Sequence, residues 1–373
     1  MKKDLGAILL ISGTTIGAGM LALPSITSPL GLILSLSVYV GVFFIMLYSA
    51  KYFVKLVLHY QKPYNFVDLA KHTLGLKGKI VCWILYLLLM YALVAAYISA
   101  LSSMLSTPIF SQTFLSLLIP IGFILFMNFG LSGIDKLNRL LMMGLILSFC
   151  ILCIILGNTA TPHFSSTIHP LYLQVALPIV MTAFGYHIII PTIANYLDRH
   201  EKKILRAIFY GSIIPLSVYI LWHLLIYFNL SQNQLSSSFT QDTPITDTLA
   251  QIHPKLKLFA TSFAFFALIT SFLGVTLSLF EFLKDSLPGK PLFKNKKILF
   301  SLTFIPPIIY IFYFKKAFYL ALDHAGILVC LLLIIFPALA YLKTKPLSRL
   351  GPLVLLIIGS SIIIADILNK LSS

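Results

Sequence analysis

Residues 13–24 read Gly13-Thr14-Thr15-Ile16-Gly17-Ala18-Gly19-Met20-Leu21-Ala22-Leu23-Pro24, inside the first apolar run of the chain. Glycine and threonine are weak helix formers and proline ends a helix. Lipid offers no partner to an unpaired backbone group, so a stretch this poor for helix must face protein or water. A helix broken in mid-membrane presents free N–H groups and a positive dipole end to an anion. Its free carbonyls and hydroxyls suit an ammonium group or a cation. An amino acid carries both charges on one carbon, and a broken first helix is where many secondary transporters hold their substrate. Thr14, Thr15, Gly17, Ala18 and Gly19 are therefore candidate substrate-binding residues.

Helical phase separates this reading from simple packing. Gly6, Gly13 and Gly17 fall within about 40° of one another, so Gly13 and Gly17 also spell a small-residue packing face. Gly19 points about 200° from Gly17, where one packing face has no use for it. A second interrupted segment stands five spans later, where Pro178 and Pro191 bracket Thr182-Ala183-Phe184-Gly185-Tyr186-His187. These six residues are the matching candidates, with Tyr91 of the third span offering a phenol. The eighth span carries Thr270, Ser271, Gly274 and Ser278; this stripe either packs against another helix or supplies hydroxyls to a cation beside the first break.

Ionisable residues inside a membrane are functional by default. His187, lying in the second break, is read as lining the site or handling a proton. His223 sits on an ordinary helix and is expected to be neutral and hydrogen-bonded to a neighbour. Glu281 stands three residues from Lys284, so a local ion pair is expected, although it remains a titratable candidate. Asp323 and Asp366, near outer helix ends, are expected to snorkel toward the interface. The four cysteines, Cys82, Cys150, Cys153 and Cys330, read as buried small hydrophobes. Neither a metal site nor a cofactor is expected.

The elements that position these residues follow from composition. The chain has 373 residues, 59% hydrophobic and 10% charged, with mean hydropathy +0.97. A soluble domain carries about 25% charged residues, so this is an all-α integral membrane protein. Eleven apolar runs are long enough to span: roughly 5–27, 30–50, 80–105, 114–130, 138–157, 174–196, 207–229, 256–281, 298–314, 320–342 and 351–369. The second is expected to run past Lys51 as an amphipathic extension. The whole chain reads as one transmembrane domain: repeat one over about 5–157, repeat two over about 174–342 and an extra helix at about 351–369. The first run lacks a cleavage site and is expected to stay as the first span. With the N-terminus in the cytoplasm, 22 of the 27 Lys and Arg fall on the cytoplasmic side, as the positive-inside rule requires. The net charge of +16 is thus topological: its nearest partners are anionic lipid headgroups rather than nucleic acid. The longest outer connection, about 230–254, is polar.

At these residues the chain resembles a known family. Ser12 to Pro24, Met90 to Ser99, Thr182 to His187, Thr270 to Val275 and Thr303 to Pro307 are similar to segments of the bacterial hydroxy and aromatic amino acid permeases, most nearly their tyrosine-specific branch. The resemblance implies eleven spans in the five-plus-five inverted repeat of the LeuT type, with discontinuous helices 1 and 6. It also implies proton-coupled uptake of an aromatic amino acid across a bacterial inner membrane. One departure is Asp323-His324 at the start of the tenth span, where uncharged residues are expected.

The expected function is import of L-tyrosine by proton symport with alternating access. Phe184, Tyr186 and His187, with Tyr91, would face the side chain, since aromatic walls suit an aromatic solute. Alternatives are a tryptophan or serine/threonine permease, or sodium coupling through Thr270, Ser271 and first-break carbonyls. A proton would instead use His187 or Glu281. An intramembrane enzyme would need a cluster of ionisable groups that the sequence lacks. The charge count makes a direct prediction: alkaline phosphatase fused after Leu371 will be active, and the same reporter fused after Lys203 will be silent. The opposite pattern would invert the assigned topology.

Overall fold

An apolar chain that must pair its own backbone in lipid is driven to helix. The computed structural model describes residues 2–60, 66–126, 130–161, 169–252, 256–286, 295–314, 316–344 and 348–372, and no strand occurs among them. The first apolar segment is divided into α1 (Lys2–Thr15) and the short α2 (Leu23–Thr27). Then come α3 (Leu32–His59), α4 (Phe66–Leu105), α5 (Gln112–Phe126) and α6 (Gly130–Thr159). The second interrupted segment is α7 (Leu173–Ala183) and α8 (Ile190–Tyr196), followed by α9 (Glu201–Tyr227). The polar connection expected after it folds into two short helices, α10 (Gln232–Gln241) and α11 (Ile245–Ile252). Ser231 and Gln234 close a capping box at the start of α10, which lets a polar sequence hold a helix. The chain ends with α12 (Lys257–Ser286), α13 (Lys296–Tyr313), α14 (Ala317–Val329), α15 (Phe336–Lys343) and α16 (Leu350–Ser372).

Nine segments among the described residues are long and apolar enough to cross a membrane. The two expected spans not among them are the first, which its break leaves with the 14-residue α1, and α5. The latter has 15 residues with Pro120 inside, and residues 127–129 of that expected span lie outside the described residues. So do Lys62, Lys255, Lys290, Lys294, Lys315 and Lys345 of the charge count. The helix α3 does continue past Lys51. Met143, Ile146, Leu147 and Ile154 of α6 are each more than half exposed, an apolar face that suits lipid and not water. Cys150 is also exposed, unlike the buried Cys82 and Cys330; facing lipid costs a small hydrophobe nothing.

Polar contacts tie the helices at two opposite ends. At one, Lys3 pairs with Asp198 at 3.0 Å, and Arg199 donates to the Val57 carbonyl at 2.7 Å and to that of Tyr60, satisfying the last carbonyls of α3. At the other, the Asp242 carboxylate accepts from the Phe318 and Tyr319 N–H groups at 2.9 and 3.0 Å, capping α14. Burial pushes the Asp242 carboxyl up to about 6 against the pull of those two bonds.

Between the ends, prolines free carbonyls that neighbouring helices then claim. Pro215 of α9 cannot donate to Gly211, and Ser12 of α1 donates to that carbonyl at 2.9 Å. Pro306 of α13 cannot donate to Leu302, and the Tyr91 hydroxyl does so at 2.8 Å. Pro337 of α15 cannot donate to Leu333, which receives the Ser49 hydroxyl from α3 instead. Cys330–Ile335, just before Pro337, widens into a π-helical turn, the usual adjustment where the α ladder is interrupted.

The helix α14 packs against α4 and α7, and α12 against α4 and α6, while α9 is shared by α1 and α3. The closest approach of a helix glycine to another helix's backbone is α14 on α7. A Cβ on Gly326 would lie 2.1 Å from the Pro178 carbonyl oxygen, and backbone cannot yield as a side-chain tip can. Gly326→Ala will therefore lower stability by about 1–3 kcal/mol, the range for overpacking, read as a drop in melting temperature in detergent. Gly41→Ala, with nothing within 4 Å, will not.

Candidate functional site

The first break is a true interruption. The helix α1 stops at Thr15, Gly17 is extended at φ −163° and ψ −158°, and a short 3-10 turn over Ala18–Leu21 leads into α2. Its glycines do not form one packing face. A Cβ on Gly6 would meet the Tyr196 hydroxyl at 2.7 Å, one on Gly17 the Ser271 Oγ at 2.5 Å, and Gly13 has only Met142 nearby at 3.9 Å. Each therefore faces a different helix. The close approach at Gly17 brings Ser271 of α12 into the break, where its Oγ accepts the Ala18 N–H at 2.9 Å.

The second break lies against the first. The helix α7 ends at Ala183, a turn carries Phe184 to Tyr186, and the chain re-enters helix through a 3-10 turn at His187–Ile189. A Cβ on Gly19 would sit 3.4 Å from the Ala183 Cβ, so the two breaks are in van der Waals contact. One side chain joins them. The Tyr219 hydroxyl of α9 lies 2.6 Å from the Thr15 carbonyl and 2.9 Å from the Ala183 carbonyl. In continuous helices those oxygens would be paired by the amides of Gly19 and His187, four residues on. Both amides have left the helix, and one phenol hydrogen is shared between the two carbonyls.

The remaining candidates are placed as follows. Thr14 and Thr15 donate back to Leu10 and Ile11 within α1, both at 2.7 Å; Thr14 is exposed and Thr15 buried. Thr182 contacts the Pro178 carbonyl at 3.1 Å and the Leu322 carbonyl of α14 at 3.2 Å. Phe184 is buried with its ring edge-to-face on Tyr219, centroids 5.2 Å apart, and Gly185 closes the turn with its N–H on Thr182. Tyr186 and His187 stack at 4.9 Å and are fully buried. His187 turns toward Phe53 and the Met46 carbonyl on α3, and Tyr186 toward Ser212 on α9, neither closing a hydrogen bond. Tyr91 is held on Leu302 of α13. Thr270 donates to Phe266 at 2.7 Å within α12.

Glu281 forms the expected ion pair with Lys284 at 3.1 Å. His223 is hydrogen-bonded as expected, its Nδ1 3.0 Å from the Tyr39 hydroxyl, which meets Thr27 at 2.8 Å. Asp323 and Asp366 do not snorkel: both are buried on Lys370. Among the described residues no group of His, Cys, Asp or Glu converges as a metal site.

Of the residues brought to the breaks, Tyr219 is the one the sequence reading passed over. Its signal was a tyrosine in mid-span, since a phenol buried in a membrane needs a partner. Tyr97 and Tyr39 lie within electrostatic range of it.

Comparison with known proteins agrees with this architecture. The chain is 32% identical over 92% of its length to "Tyrosine-specific transport system 1" of Haemophilus influenzae, covering 89% of that protein. It is 33% identical over 92% of its length to "Tyrosine-specific transport system 2" of the same organism, covering 88%. A crystal structure of a mutant Eremococcus coleocola manganese transporter shares the fold, with a TM-score of 0.60 over 98% of this chain and 85% of that one at 16% identity. Residues 1–367 match the tryptophan/tyrosine permease family. A multi-pass helical chain whose two broken segments meet at its centre, and which is matched over nearly its full length, belongs to the tryptophan/tyrosine permease family of transport proteins.

Proposed function

We propose that the protein imports L-tyrosine by proton symport with alternating access across a bacterial inner membrane. In this reading it has eleven spans with the N-terminus cytoplasmic and the C-terminus periplasmic. Residues of about 5–157 and 174–342 are the two halves of a LeuT-type inverted repeat, and about 351–369 the added helix. The observation that carries the proposal is the meeting of the two breaks. The Thr15 and Ala183 carbonyls converge on one hydroxyl, which leaves lone pairs aimed at a common point. An α-ammonium group, with three donors, fits such a pair of acceptors. The extended Gly17 and the 3-10 turn after it offer the Gly17 and Gly19 N–H groups to the carboxylate, the Ala18 N–H being held by Ser271, and Phe184 beside them offers an aromatic wall. Tyrosine is favoured over other substrates by the two tyrosine-specific relatives.

The carboxylate and ammonium are thus held by backbone and hydroxyl groups, so no embedded Arg or Lys is required. Rocking of one helix group against the other would open the breaks alternately to each side.

In proteoliposomes with an alkaline interior, labelled L-tyrosine will accumulate above equilibrium in sodium-free buffer, and unlabelled tyrosine will compete better than tryptophan or serine. Absence of accumulation under an imposed proton gradient would sink the proposal, and accumulation only with a sodium gradient would move the coupling to Ser271.

Tyr219→Phe leaves two buried carbonyls unpaired, at about 1–3 kcal/mol for such a group. Its initial uptake rate will fall about tenfold or more, by the same energy scale. Gly17→Ala will lose uptake as well, because its methyl group displaces Ser271 from the Ala18 N–H. Wild-type rates in both variants would remove the breaks from the substrate path.

A further inference from the structure

The tenth apolar segment carries charge that the substrate site does not use. Asp323 on α14 and Asp366 on α16 are 6% and 1% exposed. Both reach the same nitrogen: Lys370 Nζ lies 2.5 Å from Asp323 Oδ2 and 2.8 Å from Asp366 Oδ2. Two carboxylates on one ammonium leave one negative charge in excess. Removing an uncompensated charge from water costs several kcal/mol, roughly, so a neighbouring pair of buried acids tends to keep one proton. The local geometry asks for that proton too. Both Oδ2 atoms sit on one nitrogen, which holds the carboxyl groups side by side, and Asp323 Oδ1 is buried with no donor. Two acceptors cannot bond without a hydrogen between them.

We propose that Asp323 and Asp366 share one exchangeable proton, seated by Lys370, and that this is the proton coupled to uptake. The second clause rests on the proton-symport reading above. His324, next to Asp323, is a fourth titratable group that feels Lys370 and Asp366. On α13, Tyr310 is engaged with His324 Nδ1 at 2.9 Å. From the π-helical turn the titratable neighbour is Cys330, whose thiol is directed to Met181 at 3.0 Å. Asp242 of the outer segment acts on Tyr310 and is occupied in capping α14. Residues 80–105 of α4 and 173–183 of α7, the two helices that α14 packs on, hold no Asp, Glu, Lys or Arg. Tyr48 and Tyr52 of α3 meet α16 at its other end, around Gly351, and Tyr341 of α15 packs tilted against Tyr52 there.

The site is in mechanical contact with the second break. Leu322, next to Asp323, accepts the Thr182 hydroxyl at 3.2 Å. One turn on, Gly326 seats the Pro178 backbone, and Cys330 meets Met181. Loss of the proton to water at Lys370, whose side chain is 36% exposed, leaves two carboxylates on one ammonium. That changes the hold of α16 on α14, which grips α7 along its length.

Infrared difference spectroscopy of the full chain in lipid, with tyrosine and with pH, reads the proton directly. Wild type will show the carbonyl stretch of a protonated carboxylic acid at neutral pH, and Asp323→Asn and Asp366→Asn will each lose it. Lys370→Met will strengthen the band instead, a sign opposite to the one simple unfolding gives. In proteoliposomes the Asn variants will lose proton-driven accumulation yet keep tyrosine–tyrosine exchange at equal pH, which also shows that they fold. A missing band, a band unchanged in both Asn variants, or a band set by sodium at fixed pH would overturn the proton site. Asn variants that accumulate tyrosine like wild type would overturn its coupling. Wild type that shows the band but never accumulates tyrosine would fail the transport reading, separately from the proton site.

Discussion

The pairing of backbone groups that the helices themselves leave open is the constraint on which the rest of this structure depends. Inside lipid such a group has no water to turn to, and leaving it bare costs several kcal/mol, roughly. The two central breaks expose the Thr15 and Ala183 carbonyls, and Tyr219 takes both. The break at Ala18 exposes an N–H, and Ser271 takes it. Three prolines expose carbonyls of Gly211, Leu302 and Leu333, and Ser12, Tyr91 and Ser49 take them. Every one of these hydroxyls comes from a different helix than the group it serves. The interruptions that would weaken an isolated helix therefore become the contacts that fasten helix to helix.

That arrangement has a functional side. A hydroxyl shared between two carbonyls is a weak lock, because a single hydrogen serves two acceptors. A solute that brings its own donors can take part of that pairing without leaving any group bare. Phe184, buried edge-to-face on Tyr219, shields the same point from water, which strengthens each polar contact made there. The charged residues, by contrast, lie at the two ends, where Lys3–Asp198 and the Asp242 cap fasten loops to helices. Lys370 with its two aspartates is the exception that reaches inward from one end.

Much of this was legible in the residues. Gly19, out of phase with Gly13 and Gly17, marked an interruption rather than a packing face, and the helix stops at Thr15. Pro178 and Pro191 around Thr182–His187 marked the second. Glu281 beside Lys284 announced a local ion pair, and His223 on an unbroken helix a hydrogen bond to a neighbour. What could not be read was direction. Tyr91 sits in a promising motif, yet its hydroxyl serves a carbonyl that a proline 215 residues later in the chain, Pro306, has freed. Asp323 and Asp366 looked free to reach the interface until Lys370 was found between them.

Sequence alone determined that the chain is a helical membrane protein, where its helices must break and which ends carry the charge. These follow from local chemistry: apolar length, the poor helix-forming of glycine and threonine, and proline's missing hydrogen. Only the tertiary structure decided that the two breaks touch, that Tyr219 and Ser271 close them, and which aspartates share a lysine. The reason is physical. A freed carbonyl states its need in the sequence, but the donor that meets it is chosen by which helix lies alongside, and that depends on the packing of the whole.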